Sequence, residues 1–469
     1  GIAKNLFERS LHDSAILDTA FIEKHCHGFD DYKRAVEQSS WDKILHQSGL
    51  TREDIELMTD IYAHSDKVIF TWAMGITQHK HSVATVRELV NVLLLRGNIG
   101  KLGAGACPVR GHSNVQGNRT VGINEKPSSD FLEALSQRYH FTPPQEHGLN
   151  TVESIQAMLT QQAKVFIGLG GNFAAATPDT ERTYQALQAC DLTVHISTKL
   201  NRSHIVTGTE ALILPCLGRT EIDRQATGEQ CITVEDSMSM VHSSRGKNQP
   251  ASTELKSETA IVAGIASATL GESTIKWNEL SADYNLIRDE IEAVIPSFTD
   301  YNLRIQEQRG FYLQNPAALH QWNTPAKKAT FSDALLPESL AGELAQKQTL
   351  DTVFTLQTLR SHDQYNTTIY GMNDRYRGVY GERRVIFANA DDMARQQLNE
   401  GDKVTVTTVC TDGVSRQVTN FKVISYQIPS GCLAAYYPET NPLVPLESIA
   451  DDCGTPTYKS IAVTLNKVK

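Results

Sequence analysis

The chain has few of the features that mark specialised classes of protein. Its eight cysteines are dispersed and form no C-x-x-C pair, which argues against an iron–sulfur cluster, a zinc ribbon or a disulfide scaffold within these residues. No apolar run approaches the roughly 20 residues that a membrane-spanning helix needs. The net charge of −10 argues against non-specific nucleic-acid binding, which normally requires a basic face. We therefore expect a cytoplasmic protein with no nucleic-acid partner and no membrane span.

What is present is ordinary globular composition in a long chain. Hydrophobic residues make up 40% and charged residues 21% of the 469 residues, and this length predicts two to four domains. No signal peptide is recognisable, and residue 1 is a glycine followed by charged, helix-like sequence. We therefore expect a fragment whose true N-terminus is missing.

Strand and helix signals alternate through the first half of the chain. Residues 67–72 predict a buried strand, residues 83–95 a helix, and the glycine-rich residues 97–117 an irregular loop. The segments that follow predict a parallel sheet with crossover helices; they are helix 153–162, strand 164–169, helix 179–189, strand 191–196 and strand 210–215. Ligands of such sheets bind at the carboxyl ends of the strands.

The second half changes character. From about residue 243 to residue 348 the signals are weak, with a polar loop, two or three helices and a connector. Beyond residue 350, closely spaced strands with glycine turns predict a small β-barrel; they are 353–359, 384–388, 403–410, 415–424 and 432–437.

Polar and glycine residues follow two of the predicted parallel strands. The turn Gly168–Asn172 could present backbone N–H groups to a phosphate, although any tight strand–helix turn can use glycine. After the next strand, Ser197, Thr198 and Lys199 could reach a nucleotide. The alternative for these three is a solvated loop with a helix cap at Thr198 or Ser203.

The loop of residues 110–117 reads RGHSNVQG. Arg110 could bind a carboxylate with two hydrogen bonds, or it could anchor the loop through a salt bridge. His112 could accept or shuttle a proton near neutral pH, or simply hydrogen-bond within the loop. We assign surface or loop roles to the histidine pairs at 25 and 27 and at 79 and 81, and a packing role to Cys107.

Taken in order, several segments resemble the formate-dehydrogenase-like branch of the molybdopterin oxidoreductase family, and in particular its poorly characterised subgroup linked to bacterial acid resistance. The resemblance covers nearly the whole chain. It runs through WAMGITQH (72–79), LLLRGNIGKLGAG (93–105), VRGHSNVQG (109–117), GGN (170–172), LILP (212–215), LQTLRSHDQYNT (356–367), ANADDMARQQLNEGDKV (388–404), YYPETNPLVP (436–445) and GTPTYKS (454–460).

The resemblance implies an α/β fold in which Rossmann-like domains with parallel sheets precede a C-terminal double-psi β-barrel. Residues 1–112 would be the C-terminal part of one α/β domain, 113–245 a second α/β dinucleotide-binding domain, 246–348 a helical and loop connector, and 349–469 the dinucleotide-binding barrel. The implied cofactor is bis-molybdopterin guanine dinucleotide with molybdenum, and a 4Fe-4S cluster is expected only in the missing N-terminal part.

The resemblance also assigns residues. Arg110 would orient a small anionic substrate, with His112 as the second catalytic candidate, and an electron-transfer partner is expected. No metal ligand is expected within this chain. Cofactor contacts are expected from Gln78, Asn114, Gln116, Gly171, Asn172, Ser197, Thr198, Lys199, Thr358, Arg360, His362, Gln364, Tyr365, Asn441, Tyr458 and Lys459.

The chain departs from the family pattern in ways that leave two functions open. The four-cysteine motif and the segment with the molybdenum ligand are absent. At the strand end where the family usually carries V-x-D, this chain has Val194-His195-Ile196, so Ile196 stands in place of the aspartate that is best suited to bind a guanine edge. The first function is two-electron oxidoreduction at molybdenum. The alternative is a catalytically incompetent cofactor-binding fragment or module.

Overall fold

The computed structural model describes residues 1–271, 273–332, 336–337 and 352–468. The parts of the predicted connector and barrel domain at 338–351 lie outside the described residues. The described chain forms two compact units, of which unit 1 comprises Gly1–Val109 with Asn315–Lys469 and unit 2 comprises Arg110–Gln314. The four-part domain division stays a prediction.

Helices dominate the first segment of unit 1. Their ends follow local capping rules, as in α5, where Thr51 and Asp54 form a reciprocal capping box. The helices are α1 (Ile2–Ser10), α2 (Thr19–His25), α3 (Phe29–Gln38), α4 (Trp41–Ser48), α5 (Arg52–His64), α6 (Met74–Thr77) and α7 (Ser82–Leu95). The short strands are β1 (Cys26–His27), β2 (Ile69–Trp72) and β3 (Gly105–Pro108).

Two expectations for this segment are wrong. The strand at 67–72 forms as β2, but its residues alternate between exposed and half-buried. Among the described residues it pairs with β3 alone, and Ile69 and Phe70 line an open apolar pocket of about 710 Å³. The loop predicted at 97–117 is also not irregular throughout, because it contains β3 and the start of helix α8 (Val115–Thr120). Strand β3 forms despite the high glycine content of this segment, because it pairs with β2.

The second segment of unit 1 is a closed six-stranded barrel, as predicted. Strands β13 (Phe354–Leu359), β14 (Val385–Ala388), β15 (Lys403–Thr408), β16 (Gln417–Ser425), β17 (Cys432–Tyr436) and β18 (Ile461–Lys467) close in the order β13-β17-β14-β16-β15-β18. Two pairs, β13 with β17 and β14 with β16, are parallel. Helix α17 (Ala390–Arg395) follows β14, and β12 (Ala329–Thr330) pairs with β1 instead of joining the barrel.

Unit 2 contains the predicted parallel sheet. Strands β4 (Val165–Leu169), β5 (Leu192–Ser197) and β6 (Glu210–Pro215) pair in sequence order. Helices α11 (Phe173–Ala176) and α12 (Thr180–Gln188) make the first crossover, while a short 3-10 turn at Arg202–His204 stands in the second. Helices α9 (Ser129–Tyr139) and α10 (Thr151–Leu159) precede the sheet.

The rest of unit 2 joins a small antiparallel sheet to helices. Strands β9 (Ile232–Glu235) and β10 (Met240–Ser244) form a hairpin that β11 (Phe311–Tyr312) extends, and β7 (Arg224–Gln225) pairs with β8 (Gly228–Glu229). The helices are α13 (Glu258–Leu270), α14 (Trp277–Ala282), α15 (Tyr284–Val294) and α16 (Tyr301–Arg304). Within the described residues of both units, no helix combines the length and apolarity needed to cross a membrane.

Candidate functional site

A buried polar cluster lies where β13 leaves the barrel in unit 1. In β13 the buried positions alternate, so Thr358 shares the core-facing side with Phe354 and Leu356 and is fully buried. Its backbone carbonyl accepts a hydrogen bond from Lys459 Nζ. Lys459 is also tied to Gln78, whose carbonyl accepts from the Lys459 N–H at 3.1 Å. Three predicted cofactor residues therefore meet here.

The cluster contains several positive groups, and some of its buried polar atoms have no hydrogen-bond partner among the described residues. Burial and the nearby Arg360 and Arg377 guanidinium groups lower the pKa of Lys459 to about 8. Burial also lowers the pKa of Arg360. Within the described part of the chain, Arg360 Nη1, Thr358 Oγ1 and Gln78 Oε1 are buried without a hydrogen-bond partner. Buried atoms of this kind are normally satisfied, so Arg360 Nη1 and the Thr358 hydroxyl fit the acceptor oxygens of an anionic ligand, and Gln78 Oε1 fits an N–H donor.

Aromatic residues form one wall of this cluster. The Arg360 guanidinium stacks 3.9 Å from the ring centroid of Tyr437, and Tyr437 meets Tyr458 edge to face at 5.8 Å. Asn441 is buried and hydrogen-bonds toward Tyr437. A stacked guanidinium keeps its N–H edge free for a planar or tetrahedral anion. Tyr458 and Asn441, both predicted cofactor residues, therefore contact the cluster through Tyr437. Tyr437 itself was not among the predicted residues.

Three other predicted barrel residues lie in the loop that follows β13; they are His362, Gln364 and Tyr365. Gln364 Nε2 donates to the Tyr437 carbonyl at 2.7 Å, and Gln364 Oε1 accepts from the Ser361 N–H at 2.9 Å. His362 stacks on the Tyr376 ring with centroids 4.2 Å apart. The exposed Tyr365 makes backbone hydrogen bonds with Ile369. Gln364 reaches the cluster through the Tyr437 backbone.

A second candidate region lies at the carboxyl ends of β4 and β5 in unit 2. Gly170 and Gly171 have φ values of 66° and 72°, a left-handed conformation that glycine adopts without strain. This turn exposes Gly171 and buries Asn172. Asn201 Nδ2 donates to the Gly171 carbonyl at 2.6 Å, and Ser203 Oγ donates to Asn172 Oδ1 at 3.3 Å. The predicted Gly171 and Asn172 are thereby fixed to the segment that follows β5.

The three candidates after β5 differ in exposure. Ser197 ends the strand and is buried, whereas Thr198 and Lys199 are exposed. Neither Thr198 nor Ser203 acts as the cap of the short helical turn that follows, because Asn201 fills that position and its side chain accepts from the Ser203 N–H at 3.0 Å. The two exposed side chains are available to a ligand at the sheet edge.

His195, in strand β5, is a packed residue. His195 is 4% exposed and lies 4.9 Å, centroid to centroid, from the buried His204 ring. Burial and then His204 lower the pKa of His195. The neighbouring Ile196, which stands where the family pattern has an aspartate, is 1% exposed and supplies no carboxylate. Sequence comparison predicted the loss of the carboxylate but not the pair of buried histidines beside it.

The loop of residues 110–117 forms a third candidate region, also within unit 2. Arg110 and His112 are exposed, and Arg110 Nη2 donates to Gln116 Oε1 at 3.0 Å. Asn114 adopts a left-handed φ of 65° before α8, and its Oδ1 accepts from the Glu235 N–H at 3.1 Å. The structure thus brings Arg110, Asn114 and Gln116 together.

The β9–β10 hairpin holds this loop at further points. The Arg110 N–H donates to Ser237 Oγ at 3.2 Å. Arg219 bridges Ser113 Oγ at 2.5 Å and Ser244 Oγ at 3.3 Å. These hairpin contacts were not predicted, because they join residues that are distant in sequence and no local spacing reveals them.

Comparisons with known proteins agree with this architecture. The family described as "Molybdopterin oxidoreductase" matches residues 36–206, and the "Molydopterin dinucleotide binding domain" matches residues 354–462. Protein YdeP of Escherichia coli strain K12 is 48% identical over 474 residues, covering 99% of this chain and 62% of that protein. The uncharacterized oxidoreductase Rv2900c of Mycobacterium tuberculosis is 47% identical over 457 residues, covering 96% of this chain and 58% of its own length.

A solved structure supports the fold alone. Acetylene hydratase from Pelobacter acetylenicus superposes with a TM-score of 0.67 at 15% identity, covering 100% of this chain and 70% of that one. The chain spans about three fifths of the length of the two curated relatives, YdeP and Rv2900c.

Proposed function

We propose that this chain, a member of the molybdopterin oxidoreductase family, holds bis-molybdopterin guanine dinucleotide as part of a formate-dehydrogenase-like enzyme. The single observation that carries the proposal is the under-satisfied cationic cluster of Gln78, Thr358, Arg360 and Lys459 in unit 1. A pyrophosphate or pterin oxygen would accept hydrogen bonds from Arg360, Lys459 and the Thr358 hydroxyl, which removes the cost of leaving Arg360 Nη1 and Thr358 Oγ1 unpaired.

Unit 2 would supply contacts to the second dinucleotide. The left-handed Gly170–Gly171 turn exposes backbone at the end of β4, and the exposed Thr198 and Lys199 follow β5. Backbone N–H groups at such a turn suit phosphate oxygens. Since Ile196, in the aspartate position of the family pattern, has no side-chain acceptor for a guanine edge, we assign base recognition to the hydroxyl groups of Ser197 and Thr198.

Arg110 and His112 would act on the substrate. When bound, molybdenum with its pterins supplies the capacity to accept two electrons. The exposed Arg110 guanidinium binds and orients a small carboxylate such as formate, and Gln116 accepts a hydrogen bond from one edge of that guanidinium. His112 holds or moves a proton beside it. The 4Fe-4S cluster and the electron-transfer partner would belong to the longer protein.

Analysis of guanine and molybdenum in the purified chain tests the proposal. Chain produced in cells that synthesise the cofactor should contain both, and Arg360→Met should retain little of either. Lys467→Met serves as the matched control, since Lys467 is an exposed barrel cation paired with Asp402 at 2.6 Å. Equal guanine content in the wild type and both variants would refute the assignment of the cluster.

A catalytically incompetent cofactor-binding module is the second candidate. In the described ranges of the chain, no three His, Cys, Asp or Glu side chains form a group that could hold a metal ion. A module would then bind through the dinucleotides alone. Guanine without molybdenum in the purified chain would favour the module, whereas molybdenum with two guanines per chain would favour the enzyme.

A further inference from the structure

A buried carboxyl group lies directly behind the Arg110 loop in unit 2. Glu235 ends strand β9, is 5% exposed, and its backbone N–H donates to Asn114 Oδ1. Helix α8 can lie against it because residue 117 is glycine: a Cβ there would be 3.2 Å from the Glu235 Cβ and 2.0 Å from Asn114 Oδ1. The last glycine of the RGHSNVQG segment therefore permits the contact between loop and carboxyl.

The Glu235 carboxyl reaches Arg110 through one intermediate side chain. Gln116, together with Thr120 and Ser239, hydrogen-bonds toward the carboxyl, while Gln116 Oε1 accepts from Arg110 Nη2. A carboxamide has one accepting oxygen and one donating nitrogen. With the oxygen committed to Arg110, the nitrogen end is the one that can serve Glu235. Glu235 Oε2 is buried without a hydrogen-bond partner among the described residues, so the carboxyl can hold a proton.

We propose that Glu235 is a positioning residue for Arg110, acting through Gln116, and that its protonation state tunes how strongly Arg110 binds a small carboxylate. The inference rests on the proposed function of Arg110 as the anion-binding residue. When Glu235 is neutral, the full charge of Arg110 is available to the anion. When Glu235 is ionised, a buried negative charge behind Gln116 weakens anion binding.

The electrostatics of the surroundings support a proton on Glu235. Burial first, and then the neighbouring Asp236, raise its pKa, while hydrogen bonds from Thr120, Ser239 and Gln116 partly oppose the shift. Tyr301, whose pKa is itself raised chiefly by burial, also faces Glu235, and Arg110 lies beyond Gln116. Asp236 stays ionised because hydrogen bonds from Met240, Met238 and His242 outweigh its burial and lower its pKa. Anion affinity should therefore be highest below the raised pKa of Glu235 and fall as pH rises through it.

The side-chain Nε–Hε NMR signal of Arg110, identified by its loss in Arg110→Lys, tests the inference directly. In the wild type this signal should shift with pH, with a midpoint above the ordinary range of glutamate. In Glu235→Gln, which keeps an acceptor for Gln116 but cannot ionise, the shift should disappear and the signal should stay near its low-pH position. Glu258→Gln is the matched control, because burial also raises the pKa of Glu258 in the same unit; it should leave the Arg110 titration unchanged.

Titration with formate separates this inference from the proposed function. The wild type should bind formate roughly fivefold more weakly above the Glu235 midpoint than below it, and Glu235→Gln should bind equally at both pH values. Formate binding that depends on Arg110, with an unaltered pH profile in Glu235→Gln, would overturn the role of Glu235 and leave that of Arg110 standing. Formate binding that is the same in Arg110→Lys, or absent from the wild type, would overturn the anion-binding role of Arg110 and the inference with it.

Discussion

Two of the proposed anion sites of this chain, the buried cluster and the Arg110 loop, are built in opposite ways. In unit 1, Thr358 is fully buried, Lys459 is 9% exposed, and both belong to or flank barrel strands. In unit 2, Arg110 is exposed on a loop that hydrogen bonds tie to the β9–β10 hairpin. Without its ligand, a buried cationic cluster leaves polar groups without hydrogen bonds at a cost in free energy. This cost favours permanent retention of a cofactor. An exposed arginine on a tethered loop suits a small ligand that enters and leaves.

The largest effect on ligand affinity is expected from a substitution in the buried cluster. Thr358→Val keeps the size of the side chain and removes the Oγ1 atom, so the loss should reflect one hydrogen bond to a charged group. We expect cofactor or guanosine diphosphate affinity to fall about tenfold, or roughly 1.5 kcal/mol. Isothermal titration would measure it. The exposed Thr368→Val on the following loop is the control and should bind as the wild type does.

Lys459 makes a prediction about stability against pH. Because its pKa is lowered from 10.5 to about 8 in the folded chain, the unfolded state binds more protons between those values. The free energy of unfolding of the ligand-free chain should therefore rise as pH increases from about 8 to 10.5. Lys459→Met should be more stable than the wild type at pH 7, by about 1–3 kcal/mol, and should lose this pH dependence in chemical denaturation. A pH dependence that persists in the variant would contradict the assignment.

A substitution at Gly117 should disrupt the Arg110 loop. Gly117→Ala places a Cβ against Asn114 and Glu235 and should cost about 1–3 kcal/mol of unfolding free energy while weakening formate binding. Gly111→Ala, six residues earlier in the same loop, meets nothing within 4 Å and should change neither quantity. Equal effects of the two variants would show that α8 does not need to approach the hairpin closely.

The smallest effect is expected from the hairpin tether. Ser237→Ala removes the hydroxyl that accepts from the Arg110 N–H, an exposed contact worth about 0.5–1 kcal/mol. Formate affinity should fall two- to fivefold with no change in the affinity for guanosine diphosphate. A change in the second affinity would mean that the two sites are not independent.

The sequence predicted the parts of the fold that have strong local periodicity. The parallel sheet of β4, β5 and β6 and five of the six barrel strands follow from their apolar patterns. Strand β18, whose buried residues Ile461 to Val463 pair with β13, was missed. Strand β3 was missed because three glycines lie just before or within it, and its formation depends on pairing with β2.

The candidate sites depended on contacts that spacing cannot reveal. Thr358 carried a local signal, since it interrupts an alternating run of buried apolar residues in β13. Glu235 carried none, because its contact with Asn114 spans 121 residues of sequence. Tyr437 stood within a recognised motif, but only the fold places its ring under Arg360. The role proposed for each of these three residues depends on its burial in the tertiary structure, which local sequence patterns do not encode.

Proton uptake on binding guanosine diphosphate is the most direct test of the buried site. An anion beside Lys459 raises its pKa, so binding near pH 8 should draw protons from the buffer. Calorimetry in buffers of different ionisation enthalpy would measure this uptake as a fraction of a proton per chain. We predict uptake in the wild type and none in Lys459→Met. Binding without proton uptake in the wild type, or equal uptake in the variant, would contradict the cationic cluster as the place where the dinucleotide is held.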